Sequence, residues 1–454
     1  MENFEKIIRE IFYYIAEYGI KHKPLDFTNI ENISKKDKQE FTIQVHKGFR
    51  LGQDIIVKQI IPLFQEKDNL KKEKLEARQK QEKESLKKVN HKIRLIEYKI
   101  KLLRHFADLI AWQVFKNDYY KARRFFSGDR NRPDLLNTNF ESVLKAVNHF
   151  HKLNDFNFAL ISDLTTFIDI GDILLIEDKG ISVIECKEGD VQNKVYEFLD
   201  DLITNDLDIK NFDFTGKDQK FFKQAERTLK QIEKGTKLMN FLKNEEGTDP
   251  FSDTKIKVHE ATNTTEYYHK YLIELLKESE KNNSTYGEVD EIVYIGIYRE
   301  NKIPISPYLF KNIVNQIYEN NIIVDYVSII GMPLKEPLFF KPFGEEPIFD
   351  LMFGRLKIFL AINLDRLIAL FNKNGIKTEW LSRKQTHKLI DTNKNFKAFI
   401  YKNRAIKVWL NDESIILGDS FLVYILFDNV TPQSFVQRFK TINLKGSNGR
   451  TKKS

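Results

Sequence analysis

The chain has 454 residues, which is long enough for two or three domains with a core each. Its hydrophobic and charged fractions, 41% and 30%, are those of a soluble globular protein, and its formal net charge of +8 permits nucleic-acid binding without requiring it. A single cysteine, Cys186, excludes an internal disulfide framework and a cysteine-based zinc site. The start of the chain lacks the features of a signal peptide, and no run of about 18 apolar residues occurs. We therefore expect a cytoplasmic protein.

Residues 1–134 are predicted to be a helical region. Apolar side chains at helical spacing indicate one helix over 1–19 and a second over 37–64, which Pro62 interrupts. The sequence from Gln65 to Ser85 is mostly charged or amide.

A basic coiled coil is predicted over about residues 65–114. Apolar residues recur at alternating steps of three and four from Leu86 to Val114. Residues 71–101 hold twelve Lys/Arg and five Asp/Glu, nearly the whole net charge of the chain. The seam is compatible with an intramolecular helical hairpin with residues 38–64 or with a homodimer. In either arrangement the basic face is a candidate surface for nucleic acid.

Residues 135–332 are predicted to be the core domain of the chain. Hydrophobic periodicity and turn residues give the order of its elements. The expected elements are a helix over 140–152, strands over 156–164 and 166–170, a β-hairpin, helices over 219–234 and 266–279, a strand over 291–298, a helix over 307–320 and a strand over 322–330.

The stretch Gly171–Gly189 contains the predicted β-hairpin. Two short aliphatic runs flank a polar turn, Glu177–Gly180. A turn centred in the middle of that segment places Asp172 directly opposite Glu185, where the two side chains share one face of the ladder. Lys187 lies two residues farther along and projects from the same face.

Two carboxylates and one ammonium group therefore converge at the open end of an apolar hairpin. Like charges opposite each other on a sheet repel, and a buried carboxylate without a partner is costly. A divalent cation removes this conflict, because Mg²⁺ prefers one or two carboxylates together with waters and phosphate oxygens. The pattern predicts a Mg²⁺ site at Asp172 and Glu185, in which Mn²⁺ is an expected substitute.

Asp172 and the tripeptide Glu185-Cys186-Lys187, at the end of a hairpin, resemble the motif of the PD-(D/E)XK nuclease superfamily. The order helix, strand, hairpin, helix, strand over residues 138–298 also matches the common core of that family. An isoleucine and a glycine precede Asp172 where the family name has a proline, which has no chemical role. The resemblance implies an α/β fold with a restriction-endonuclease-like mixed sheet flanked by helices.

The resemblance also implies the roles of the site residues. Asp172 and Glu185 would be metal ligands, and the carbonyl of Cys186 would be a further oxygen ligand. Lys187 would orient or help to deprotonate the attacking water and offset the charge of the phosphate. The thiol of Cys186 points to the other face of the strand and is expected to pack as a small apolar group.

Other residues match polar positions that some members of the family place near the metal. Glu141 lies in the first turn of the helix before the sheet, where it would be a metal ligand or, alternatively, stabilise the helix dipole. Gln224, and less so Gln231, lie on the helix after the hairpin, and the alternative is that they are surface glutamines. Asp169 would replace Asp172 as a ligand if the register slips.

Residues 333–444 are predicted to be a C-terminal α+β module without a catalytic constellation, and 445–454 a disordered tail. Prolines and a glycine between 333 and 347 indicate a connector. The expected elements are a long helix over 348–374, a capping box at Ser382–Gln385, an antiparallel meander over 396–427, and a helix that begins after Thr431 at Pro432.

The leading hypothesis is a Mg²⁺-dependent nuclease that acts on DNA as an endonuclease, with microbial defence or DNA processing as its role by analogy with the family. The alternative is a catalytically inactive nucleic-acid-binding or scaffold protein organised by the coiled coil. The expected partners are nucleic acid and a second copy of the chain, without a membrane. The sequence has no GxxxxGK[ST] loop, so nucleotide hydrolysis by that route is excluded.

Overall fold

The computed structural model is a mixed α/β structure that divides into two compact units. Unit 1 comprises Met1–His259 with Ile330–Pro337, and unit 2 comprises Glu260–Ile329 with Leu338–Ser454. The predicted boundary between residues 134 and 135 falls inside unit 1. The structure describes residues 1–128, 132, 134–186, 219–252, 254–257, 265–315, 320–392, 398–410 and 413–441. The predicted tail over 445–454 lies outside these residues.

Unit 1 combines long helices with a small antiparallel sheet. Its helices are α1 Glu2–Phe12, α2 Tyr18–His22, α3 Lys35–Gln79, α4 Lys83–Val114, α5 Tyr119–Arg124, α6 Phe140–Leu153 and α7 Gln219–Asn244. Its strands are β1 Phe158–Ile161, β2 Ile173–Glu177, β3 Gly180–Ile184, β4 Glu246–Thr248 and β5 Lys255–Lys257. Strands β1, β2 and β3 form one sheet in that order, and β4 pairs with β5.

Helices α3 and α4 pack against each other as a helical hairpin within one chain. The turn between them is closed by a hydrogen bond from the Glu82 N–H to the Ala77 carbonyl, and Lys67 forms an ion pair of 2.9 Å with Glu97 across the two helices. Most seam residues of α4 are buried, among them Val89, Ile96, Ile100, Leu103, Ala107 and Ile110. The intramolecular alternative is thus the one that the structure shows, and the predicted homodimer gains no support from it.

The turn of this hairpin differs from the prediction. Helix α3 does not end near Pro62 but continues to Gln79, so the charged stretch after residue 64 belongs to the first arm. A proline inside a helix removes one hydrogen bond. Buried apolar residues on both sides of Pro62, such as Ile60 and Phe64, keep the helix packed, and tertiary packing of this kind supplies most helical stability in proteins.

Helix α3 also covers the free edge of the three-stranded sheet. The side-chain amide of Gln53 donates to the Ala159 carbonyl at 2.9 Å and accepts from the Ile161 N–H at 3.0 Å. His46 contacts the Phe156 carbonyl at 2.5 Å, and Arg50 donates to the carbonyl groups that precede β1. An uncovered edge strand exposes unpaired backbone groups, so these contacts fix β1, and with it the sheet, on the helices.

Unit 2 contains two further antiparallel sheets. Its helices are α8 His269–Asn282, α9 Ser306–Asn315, α10 Glu345–Phe353, α11 Leu364–Lys373, α12 Arg383–Thr392, α13 Ser420–Leu422 and α14 Pro432–Thr441. Its strands are β6 Ser284–Val289, β7 Val293–Arg299, β8 Asn321–Asp325, β9 Leu356–Asn363, β10 Thr378–Trp380, β11 Ile400–Tyr401, β12 Arg404–Leu410 and β13 Glu413–Ile416. One sheet has the order β6-β7-β9-β8, and in the other β12 pairs with β10, β11 and β13.

Two predictions about the core are wrong. The strand predicted over 291–298 exists as β7, but it belongs to the four-stranded sheet of unit 2 and not to the sheet that contains the hairpin. A continuous apolar run indicates a strand buried on both faces without identifying its neighbours. All strand pairs in the described part of the chain are antiparallel, whereas we expected a mixed sheet.

The helix predicted over 348–374 is in fact helix α10, strand β9 and helix α11. Gly354 ends α10 in a left-handed conformation with φ +78°, and seven of the eight residues of β9 are buried. A fully buried strand shows no alternation, so periodicity alone does not distinguish it from a buried helix. The segment Phe421–Phe427, predicted to be a strand of the meander, is helical.

The predicted capping box and the predicted start of the last helix are confirmed. The Gln385 side chain accepts from the Ser382 N–H at 2.9 Å, and Ser382 Oγ accepts from the Gln385 N–H at 3.3 Å. Pro432 is the first residue of α14, and Thr431 Oγ1 accepts from the Ser434 N–H. In the described part of the chain, no helix combines the length and the apolar character needed to cross a membrane.

Candidate active site

The hairpin that carries the predicted site has the predicted register. Ile173 pairs with Ile184, and the ladder runs through to Glu177 opposite Gly180. β1 pairs with the other side of β2, and α6 precedes this sheet while α7 follows it. The local order helix, strand, hairpin, helix is therefore present around the site.

Gly171 sets the backbone directly before Asp172. Its φ is +75°, which favours glycine, and a Cβ at this position would lie 2.3 Å from Val183 Cγ1. A side chain would therefore meet both an unfavourable conformation and the neighbouring strand. The glycine before Asp172 lets the chain enter β2 in close contact with β3.

The loop between β1 and β2 is held by buried charged residues of α4. The carboxylate of Asp108 accepts hydrogen bonds of 2.7 Å from both the N–H and the Oγ1–H of Thr166. Arg104 donates to the Thr165 carbonyl at 3.3 Å. Burial raises the pKa of Asp108 to about 7 and lowers the pKa of Arg104 to about 10. These contacts attach the loop before Asp172 to the helical hairpin.

Asp169, the alternative ligand, has a structural role in the same loop. Its carboxylate forms an ion pair of 2.6 Å with Arg132 and accepts from the N–H and the hydroxyl of Ser127 at 2.7 and 2.6 Å. Its own N–H donates to the Phe125 carbonyl. Because these bonds occupy the carboxylate, Asp172 is the better candidate.

Asp172 lies where the ladder ends and bonds to both β3 and the segment after it. Its N–H donates to the Ile184 carbonyl at 2.9 Å, and its Oδ2 accepts from the Cys186 N–H at 2.7 Å. The ladder therefore stops one residue short of the predicted Asp172–Glu185 pair. The side chain of Asp172 nevertheless turns toward the Glu185–Cys186 segment, so the two predicted ligands lie at the same end of the hairpin.

The thiol of Cys186 is close enough to Asp172 and Glu185 to be affected by both charges. Burial, and after it the negative charges of Asp172 and Glu185, raise the pKa of its thiol to about 11. The thiol is therefore protonated at neutral pH and is a poor nucleophile. Its carbonyl, the predicted third oxygen ligand, accepts a hydrogen bond from the side-chain amide of Asn139.

Asn139 was not predicted as a site residue, and Asp163 was a weak secondary candidate with a turn cap as its alternative role. Asn139 directly precedes α6, and its contact with Cys186 anchors the start of that helix to the end of β3. Burial raises the pKa of Asp163, and the negative charge of Asp172 raises it further while Arg132 lowers it. Asp163 is therefore close enough to Asp172 to be affected by its charge. A half-buried aspartate in a short turn has no sequence pattern that separates it from a turn cap.

The other predicted site residues are less well placed or lie outside the described residues. Glu141 is exposed on the first turn of α6, two residues after Asn139. Gln224 lies within α7, but its side chain is not among those that the structure describes, and Lys187 lies just beyond the described segment that ends at residue 186. Their predicted roles stay predictions.

A cleft of about 480 Å³ lies between β3 and α7 and includes Glu185 in its wall. Apolar side chains from both elements line it, together with amide and hydroxyl groups of α7. The residues that line it include Val183, Ile184, Glu185, Thr228, Gln231 and Asn240. Gln231, predicted as the weaker of two polar candidates on this helix, therefore lines the same cleft as a predicted metal ligand.

The residues at this end of the hairpin suit a hard cation better than a soft one. Within the described part of the chain, no group of three or more His, Cys, Asp or Glu residues is arranged to hold a metal ion. Asp172 and Glu185 are a two-carboxylate set with a backbone carbonyl nearby, and Mg²⁺ commonly takes one or two carboxylates and completes its shell with water and phosphate oxygens. The donor set fits Mg²⁺ in that mode.

Comparison with protein-family models, with curated proteins and with solved structures gave no match to this chain. The account of the site therefore rests on its own residues and their geometry.

Proposed function

We propose that unit 1 hydrolyses phosphodiester bonds of nucleic acid in a metal-dependent reaction at the end of the β2–β3 hairpin. The observation that carries the proposal is the contact of Asp172 Oδ2 with the Cys186 N–H, which turns that carboxylate toward the Glu185–Cys186 segment. The cleft beside Glu185 supports it, because a substrate needs an open surface next to the reacting groups.

Asp172 and Glu185 would hold the cation, together with the Cys186 carbonyl. The bound Mg²⁺ would supply charge neutralisation at the phosphate and an acidic water. One oxygen of Asp172 is fixed by the Cys186 N–H, so the carboxylate would be oriented before the cation binds. Asn139 would hold the Cys186 carbonyl in place in the same way.

Lys187 would act on the attacking water and on the phosphate. It follows Glu185 by two residues, so in an extended chain it projects from the same face as that carboxylate. Its ammonium group would orient the water and stabilise the negative charge that develops on the phosphate oxygens. Gln231, and Gln224 by the earlier prediction, would contact the water or the substrate from α7.

The test is cleavage of plasmid DNA, linear duplex DNA, single-stranded DNA and RNA with Mg²⁺, with Mn²⁺ and with a chelator. The wild-type chain is expected to cut at least one substrate with metal and none with chelator. Lys187→Ala and Glu185→Gln are expected to lower the rate by about 100-fold or more.

Lys179→Ala and Glu177→Gln are matched controls, because they make the same changes at the turn of the same hairpin. These variants should cut like the wild type. A wild-type chain that cuts nothing with either metal would leave the catalytically inactive binding protein as the better hypothesis. Site variants that cut as fast as the controls would contradict the assignment of Glu185 and Lys187 to the active site.

A further inference from the structure

A second concentration of positive charge lies in unit 2, far along the chain from the basic helical hairpin. Residues 371–410 contain ten Lys/Arg and two Asp/Glu, a surplus of eight. Acidic residues elsewhere in the chain offset this surplus, so the net charge of the chain does not reveal it. Such a local surplus is the electrostatic footprint of a nucleic-acid-binding surface, although it does not establish one alone.

The sheet around β12 places part of this charge around an aromatic ring. Trp409 on β12 has Lys407 Nζ at 4.5 Å and Lys377 Nζ at 4.8 Å from its ring centroid. The Trp409 N–H donates to the Lys377 carbonyl, and Ser414 on β13 is directly opposite Trp409. Lys407 lies two residues before Trp409 on the same strand, and both lysines contact the ring, so one face of this sheet carries the ring and both lysines.

The two ammonium groups lie less than 10 Å apart, because both contact one ring. The Debye length at physiological salt is about 8 Å, so salt screens the repulsion between two charges at this separation only in part. Among the described residues neither lysine forms an ion pair with a carboxylate, although Glu379 is opposite Lys407 in the ladder. An anion placed between the two lysines would relieve this repulsion.

A cleft of about 490 Å³ adjoins this face, between α12 and the strands β12 and β13. Lys407 belongs both to its wall and to the cation pair on Trp409. Its other lining residues include Leu381, Gln385, Leu389, Ser414 and Ile416. Trp409 does not line this cleft, but Lys407 connects the two, and a largely apolar cleft of this size has room for a planar base.

We infer that this face, defined by Lys377, Lys407 and Trp409, binds single-stranded nucleic acid. A base stacks on Trp409 in place of the two ammonium groups, which move from the ring to neutralise the flanking phosphates. Stacking on aromatic side chains combined with a basic surface is how single strands are bound without base pairing, because a duplex keeps its base faces covered. The surface would supply substrate binding for the proposed nuclease, and to that extent the inference rests on the proposed function.

The test measures binding without cleavage. Fluorescently labelled single-stranded DNA, single-stranded RNA of the same sequence and duplex DNA are titrated with the full chain in chelator, at several salt concentrations. Single strands of at least one type are expected to bind more tightly than the duplex. Absence of single-strand binding overturns the inference, whereas cleavage is scored in separate reactions with metal, so the two proposals fail independently.

Lys377→Ala/Lys407→Ala is compared with Lys87→Ala/Lys88→Ala, an equal loss of charge at two exposed lysines of the helical hairpin. Loss of two phosphate contacts is expected to reduce the slope of log affinity against log salt by about 1.4 in the first variant. An equal effect of both variants, or a larger one at the helical hairpin, would contradict the inference.

Trp409→Ala is expected to weaken single-strand binding about tenfold, and Trp409→Phe much less, because phenylalanine keeps a stacking face. Intrinsic tryptophan fluorescence gives a second measure of binding that does not depend on the loss of affinity in these variants. Quenching by the bound strand should persist in Trp380→Phe and disappear in Trp409→Phe. Quenching that survives in Trp409→Phe would place the strand elsewhere.

Discussion

At the scale of single residues, Gly171 and Asp172 determine the backbone path and the position of the carboxylate at the open end of the hairpin. Gly171 allows the chain to turn into β2 beneath Val183, and Asp172 then bonds through its carboxylate to the Cys186 backbone. The same carboxylate would bind a cation through its other oxygen. The observed structural bond and the proposed chemical role therefore involve the same side chain.

Gly171→Ala is expected to destabilise unit 1 by about 1–3 kcal/mol or more, because it adds backbone strain and a contact of 2.3 Å with Val183. Gly180→Ala is the matched control, since Gly180 has φ +131° in the same hairpin but no atom within 4 Å of an added Cβ. Urea unfolding measures both. Gly171→Ala/Val183→Ala should recover part of the loss, and equal losses at Gly171 and Gly180 would contradict the proposed close contact.

Asp108 makes stability depend on pH. Burial raises its pKa from an ordinary 3.8 to about 7. Between these values the folded protein keeps a proton that the unfolded chain has released, so this group's contribution to stability falls as the pH rises through that window and is lost above about 7.

Asp108→Asn removes the titrating carboxyl group, and with it the difference of about one bound proton between the folded and unfolded states. The substitution keeps an acceptor for the Thr166 N–H. The free energy of unfolding of the wild type is therefore expected to fall relative to that of the variant from about pH 4 to 7, and the difference should be constant above that range. Urea unfolding across pH measures it. A difference that does not change with pH would show that Asp108 titrates normally.

At the scale of elements, the covered edge of β1 connects the helical hairpin with the site. Gln53 satisfies two backbone groups of β1, so α3 acts in place of a fourth strand. The buried pair Arg104 and Asp108 adds a second attachment, from α4 to the loop before β2. Through these contacts the helical hairpin supports the site structurally.

Gln53→Leu tests this attachment. It keeps the side-chain volume but leaves the Ala159 carbonyl and the Ile161 N–H without their partner, which costs about 1–3 kcal/mol for each buried group. Amide hydrogen exchange should accelerate in β1 and β2. Gln39→Leu, at an exposed position of the same helix, is expected to change neither stability nor exchange. Unchanged exchange in Gln53→Leu would mean that water replaces the lost bonds.

Sequence patterns predicted the elements whose determinants are local. The register of the hairpin follows from a polar turn between two aliphatic runs, and Ser382–Gln385 and Thr431–Pro432 are helix starts that depend on neighbouring residues. Strand β9 and the partners of β7 depend on which surfaces bury them, and no local pattern encodes this. Asn139 was missed for the same reason, since its contact with Cys186 joins residues 47 positions apart.

At the scale of the whole molecule, the sequence carries two basic regions, and the described residues of unit 1 include a candidate active site. The seam of α4 is buried against its own chain, so the apolar surface that a dimeric coiled coil would need is already used. The C-terminal module, predicted over 333–444 without a catalytic constellation, contains the basic face around Trp409.

The full chain is therefore expected to sediment as a monomer at micromolar concentration in analytical ultracentrifugation. Leu103→Asp, within the buried seam, should lower the free energy of unfolding without a monomer–dimer shift. A wild-type dimer that this substitution dissociates would instead favour the homodimeric coiled coil.

The most direct test of the central claim is the rate of Mg²⁺-dependent cleavage by Asp172→Asn. Asparagine keeps an oxygen that accepts from the Cys186 N–H, so the hairpin should fold as in the wild type while the negative charge for the cation is lost. Asp178→Asn, at the exposed turn of the same hairpin, removes the same charge as a control. We predict a fall of about 100-fold or more in Asp172→Asn and no change in Asp178→Asn. Equal cleavage by the two variants would contradict the assignment of Asp172 as a catalytic metal ligand.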